Sequence, residues 1–175
     1  PGACDCRSEE DGGRTADLTL KPSLRELCDH LGYAPDPDRP GRLIRAETAE
    51  NRFLDVYGRM EAWIDEQGHA RIGLTLRDQH RNLFNFAHGG FLLSLVDHAL
   101  FVGPAMLGVE RVAGGVTMDV SAQFLAPGIV NAQIEAVVEV MRETHRTVFV
   151  RGTLDQSGKP VVAFSGLVRK AWAQS

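Results

Sequence analysis

Residues Asn82 to Gly103, NLFNFAHGGFLLSLVDHALFVG, set His88, a glycine pair and Asp97 within one apolar stretch. The run from Gly89 reads as a helix with apolar residues on every face, which places Asp97 and His98 in an interior. An ionised carboxylate buried without partners costs several kcal/mol, so Asp97 is expected to be paired, wetted by a cleft or shifted in pKa. The start of such a helix offers free N–H groups and a positive dipole end, which suit a carbonyl oxygen that becomes negative. A carboxylate suits nucleophilic or general-base work. Eight residues at about 1.5 Å each separate Gly89 from Asp97 by roughly 12 Å, too far to act on one small group. They converge if a second copy of the helix lies antiparallel across a two-fold axis, so a site here implies a homodimer.

Neighbouring polar groups have plainer readings. Taken alone, His88 is a helix-start residue that caps a turn. Asp97 has a structural alternative, as a charge paired across a dimer interface. His98 points about 100° away from Asp97 and is expected to pack or to support rather than to react. Thr117 and Asp119 alternate on one strand and so share a face, which would bring both to a cleft, although a solvated Asp119 is an equal reading. Met60 and Trp63 read as core, with the lining of a substrate pocket as the alternative.

These groups need a scaffold. The 175 residues fit one domain with its own core, and the net charge of −4 argues against a general nucleic-acid or anionic-membrane binder. Cys4, Cys6 and Cys28 have poor zinc spacing, and no metal or cofactor is expected. The N-terminus lacks a secretory hydrophobic core, no apolar run is read as membrane-spanning, and a cytoplasmic protein is the expectation.

Residues 1 to about 20 read as disordered. A short helix over Lys21–Leu31 follows, and Ala34–Gly41, rich in Pro and Asp, reads as a linker. An extension over 1–41 thus precedes a body over 42–175. Strands are predicted at Leu54–Ile64, Ala70–Leu76, Gly115–Leu125, Asn131–Met141, Thr147–Asp155 and Pro160–Lys170. Six strands and one long buried helix describe an α+β fold, an antiparallel sheet wrapped round a helix.

Asn82, His88-Gly89-Gly90, Asp97, Gly115-Val-Thr117-Met-Asp119-Val and Phe124-Leu-Ala-Pro127-Gly resemble the hotdog-fold acyl-CoA thioesterases of the phenylacetic-acid-degradation type. The resemblance spans about Leu54 to Lys170. It implies a hotdog fold, a homodimer that shares two active sites, and an acyl-CoA substrate with coenzyme A as part of it; a homotetramer is left open. It also implies roles: Gly89 donates its N–H to the thioester carbonyl, and Asp97 of the other subunit attacks or activates water. Asn82 would position thioester or water, His88 would shape the helix end, and Thr117 would set a hydroxyl near the acid. Asn85 stands where the family often has Gly, and Asn visits the left-handed region at low cost. Gly90 joins the expected substrate contacts. So does a basic cluster of Arg142, His145 and Arg146, reinforced by Lys159, Arg169 and Lys170, because coenzyme A carries phosphates. Two alternatives are a non-catalytic acyl-CoA-binding or sensing module and a thioesterase acting on an acyl-carrier-protein thioester, whose acidic partner the basic hairpin would then meet.

Overall fold

The computed structural model describes residues 21–48 and 52–172. The N-terminal stretch read as disordered lies outside them. Eight strands form one antiparallel sheet: β1 (Ala34–Pro35), β2 (Leu43–Arg45), β3 (Met60–Ile64), β4 (Ala70–Thr75), β5 (Val116–Phe124), β6 (Gln133–Glu143), β7 (Thr147–Gln156) and β8 (Lys159–Arg169). Their spatial order is β1-β2-β3-β4-β6-β7-β8-β5, so among the described residues β5 ends the sheet with one unpaired edge.

Alternation decides which face is inside. Met60 and Ala62, Ala70, Ile72 and Leu74, then Ile134, Ala136 and Val138 are buried, as are Val148, Val150, Val162, Phe164 and Val168. The outer face carries Glu61, Arg71, Glu135, Glu139 and Arg151, joined by ion pairs. Helix α2 (Gly89–Met106) lies in the concave side, and glycines let it come close. A Cβ on Gly103 would stand 2.4 Å from Val138, and one on Gly166 of β8 would stand 2.4 Å from Leu100, so a methyl at either place would force its neighbour to shift.

Three expectations are corrected. The strand predicted from Leu54 begins only at Met60: Phe53–Tyr57 forms a 3₁₀ turn ended by Gly58 at φ 71°, and the Tyr57 hydroxyl then reaches inward to donate to the Ser94 carbonyl. The segment 34–41 is no loose linker. β1 pairs with β2, and the buried Asp36 accepts from Arg39, whose guanidinium also grips Glu61 on β3. Helix α1 (Pro22–Leu31) packs on α2, with Leu27 fully buried and Glu26 accepting the Arg111 N–H. Finally, α2 is long and apolar enough to cross a membrane by length and composition, contrary to the expectation that no run is; two thirds of it, 67%, is buried inside the sheet.

Candidate active site

The start of α2 is built by its neighbours. Asn82 folds the preceding loop on itself, its side-chain oxygen accepting the N–H groups of Phe84 at 2.8 Å and Phe86 at 3.1 Å. Asn85 takes φ 65°, as its residue type allows. The Ala87 N–H donates to Gly128 and the His88 N–H to His80, which aims the chain into the helix. His88 is the N-cap: its Nδ1 accepts the Gly90 N–H at 3.0 Å. Its carbonyl takes the N–H groups of Phe91 and Leu92. Among the described residues no acceptor meets the Gly89 N–H, so the cap leaves that single donor free. It borders a cleft of about 320 Å³ lined by Asn82, Phe86, Leu92, Phe124, Leu125 and Pro127, apolar but for the amide. The Phe124 ring lies 3.6 Å from where a Gly89 Cβ would stand.

Asp97 lies two turns along the same helix. The apolar pattern places it in an interior, yet in the protomer it is exposed, on a stripe with Gly90 and Leu93. The periodicity of apolar residues does not distinguish a surface facing the sheet from one facing outward. His98, one step round, is the buried one. It sits 3.1 Å from the Tyr33 hydroxyl with its ring against Tyr33 and Tyr57, and burial pushes its pKa down to about 3, with Arg45 adding to the shift. Asp97 is held from β5: the Thr117 hydroxyl donates to its Oδ1 at 2.6 Å. That bond leaves the other carboxylate oxygen for chemistry.

Asp119 does not join them. A bulge at Met118 shifts the register between Thr117, paired with Val168, and Asp119, paired with Leu167, so the two residues face opposite sides. Neither Met60, fully buried in the core, nor Trp63, whose ring covers Gly73 on the outer face, lines the cleft beside Gly89.

The basic cluster is partly assembled. His145 and Arg146, on the β6–β7 turn, line a cleft of about 210 Å³ with Arg111, Arg169, Lys170 and Trp172. Arg142 is exposed on β6 and is not part of that lining, and Lys159 stands at the far end of β8 from Arg169. Sequence reasoning misses Arg111 and Trp172. Arg111 is brought in by a left-handed turn, φ 62°, that no glycine announces, and the exposed Trp172 looks in sequence like tail. The Arg146 guanidinium lies 5.9 Å from the Trp172 ring.

An antiparallel sheet round one long central helix is the fold of the hotdog thioesterases. Residues 78–169, more than half of the chain, match the acyl-CoA thioesterase N-terminal domain family, and the chain belongs to it. It is similar to acyl-coenzyme A thioesterase 13 of Homo sapiens, 26% identical over 58% of this chain and 71% of that protein. A mutant of the phenylacetic acid degradation protein PaaI from Thermus thermophilus is 26% identical, with a TM-score of 0.57 over 68% of this chain and 98% of that one. Zebrafish thioesterase superfamily member 2 shares the fold at a TM-score of 0.60, with 21% identity over 70% of this chain and 89% of its own.

Proposed function

We propose that the chain hydrolyses an acyl-CoA thioester at a site completed by a second copy of itself. The observation that carries this is the pairing of a free Gly89 N–H with an exposed, Thr117-held Asp97 on one helix, about 12 Å apart along its axis. Two further features support reciprocal dimers. The stripe Gly90–Leu93–Asp97 is open on the otherwise enclosed α2, and the nine-residue strand β5 has no partner on one edge among the described residues. An edge bearing Val116, Met118 and Phe124, each more than half exposed, is costly to leave in water.

In this reading the thioester carbonyl takes the Gly89 N–H, which strengthens as negative charge develops on the oxygen. Asp97 of the second copy either attacks the carbonyl carbon, giving a mixed anhydride that water then opens, or takes a proton from the attacking water. Both routes form a C–O bond, break the C–S bond and release the thiolate, a leaving group that needs little acid help. The apolar cleft walled by Phe86, Leu92 and Phe124 receives an uncharged part of the substrate, and the Arg146–Trp172 cleft receives the phosphates and adenine of coenzyme A.

The test is thiol release from short, medium, long and aryl acyl-CoAs by wild type and Asp97→Asn, with matched acyl-carrier-protein thioesters alongside. Turnover with acyl-CoA that Asp97→Asn removes, in a protein that keeps its assembly state, is expected. Binding without turnover on every substrate would replace this reading with a sensing module, and turnover on the carrier thioesters alone would change the substrate class.

A further inference from the structure

His80 is nearly fully buried, at 2% exposure, and lies outside the cleft beside Gly89, yet every polar group it has is engaged with the segments that meet at the start of α2. Its Nδ1 accepts the Arg77 N–H at 2.9 Å, and its Nε2 lies 2.8 Å from the Val56 carbonyl. Those two contacts select one neutral tautomer, with the proton on Nε2. The imidazole stacks on Phe91 in the first turn of α2, ring centroids 3.8 Å apart and planes 13° from parallel. Its own carbonyl accepts the His88 N–H at 2.7 Å. One residue therefore ties the 3₁₀ turn before β3, the turn after β4, the N-cap and the first helical turn together. Gly89 lies between the last two.

We infer that His80 is a positioning residue for the proposed hydrolysis: it fixes the direction of the Gly89 N–H without touching substrate. The inference rests on the assignment of Gly89 as the oxyanion donor. A donor aimed by its helix works only if the helix start cannot tilt, and an error of about 1 Å in such a group costs on the order of a hundredfold in rate. His88 alone does not supply that rigidity, because its ring caps the helix from an exposed loop. The His80 ring, packed on Phe91 and bonded at both ends, does. Burial lowers its pKa, which keeps the neutral, Nδ1-accepting form in place at neutral pH.

Three variants separate the parts. His80→Phe keeps a ring on Phe91 and loses both polar bonds, His80→Asn restores an acceptor near the Nδ1 position, and His80→Gln restores a donor near Nε2. For folded protein well below each melting temperature, His80→Phe is expected to lower kcat roughly 10- to 100-fold with KM within about twofold. The amide exchange of Gly90 and Phe91, whose N–H groups are bonded to His88, should accelerate, and Asn or Gln should recover part of both. A kcat per folded molecule equal to wild type, or unchanged exchange at Gly90 and Phe91, would overturn the inference. If His80→Phe does not fold, the Asn and Gln variants carry the same comparison. Gly89→Pro and Asp97→Asn run beside them: turnover that survives both refutes the site assignment itself, whereas the exchange readout still reports whether His80 holds the helix start.

Discussion

Mixing two inactive variants should restore about one quarter of the wild-type turnover. Gly89→Pro removes one N–H and little else. Position 89 is the first residue of α2, where proline fits, and His88 at φ −65°, ψ 131° already has the extended backbone that precedes proline. A Cβ at 89 would meet the Phe124 ring at 3.6 Å, an ordinary contact. Losing that donor should cost roughly 10²- to 10³-fold in kcat. Asp97→Asn keeps the side-chain shape and an acceptor for Thr117 but removes the reacting oxygen. If each site takes Gly89 from one subunit and Asp97 from the other, a mixed dimer has one site with both defects and one with none. Random exchange of equal amounts makes about half the dimers mixed, each with one working site of two, hence about one quarter of full activity. The assay is thiol release after subunit exchange under mild denaturant, with each variant alone as the baseline. Exchange verified by mass, with turnover no higher than the two baselines, would refute the composite site: the roughly 12 Å along the helix would then have to be spanned within one chain.

Four further outcomes follow from the geometry. Thr117→Val should lower kcat about tenfold without unfolding the protein, because a charge-assisted bond to Asp97 is lost, while Thr117→Ser should stay near wild type; parallel kinetics check this. His98 must stay neutral when folded, with a pKa near 3 against an unfolded value near 6.5. The unfolded chain therefore binds the extra proton, and stability is lost as pH falls from about 6.5 towards 3, at up to about 1.4 kcal/mol per pH unit. Denaturant unfolding of wild type and His98→Leu between pH 7 and 5 should show a smaller pH dependence in the variant. Arg146→Gln and Trp172→Ala should raise KM for acyl-CoA several-fold and leave kcat nearly unchanged, and the KM of the wild type should climb with salt. Gly103→Ala should cost about 1–3 kcal/mol of stability by thermal melting, since the new methyl would press on Val138.

Much of this architecture can be read from patterns that are local in the chain. Ala132, Ile134, Ala136, Val138 and Val140 alternate as a half-buried strand must, and β6 is found there; the His88-Gly89-Gly90 opening of α2 and the left-handed Asn85 follow from residue type. What fails depends on a distant partner or on an inserted residue. Strict alternation puts Thr117 and Asp119 together, but one bulge at Met118 reverses every side chain beyond it. The Pro-rich stretch at 34–41 looks free until Glu61, some twenty residues on, is seen to collect Arg39 and Arg42. Asp97 reads as interior because apolar periodicity measures what avoids water, and under the proposed pairing the face that carries it avoids water too.

The open stripe on α2 has one more consequence under the proposed pairing. Positions 89 and 97 exchange places across the two-fold axis, so the residue midway between them, Leu93, lies at the axis itself; in the protomer it is 38% exposed. Everywhere else in the interface a side chain can be accommodated by a change in a different residue opposite. At Leu93 the residue opposite is Leu93 again, so any substitution is made on both sides at once. Its fit is judged only against itself: a bulky side chain doubles its own clash, a charge faces the same charge, and a cysteine would meet the one group with which it forms a disulfide.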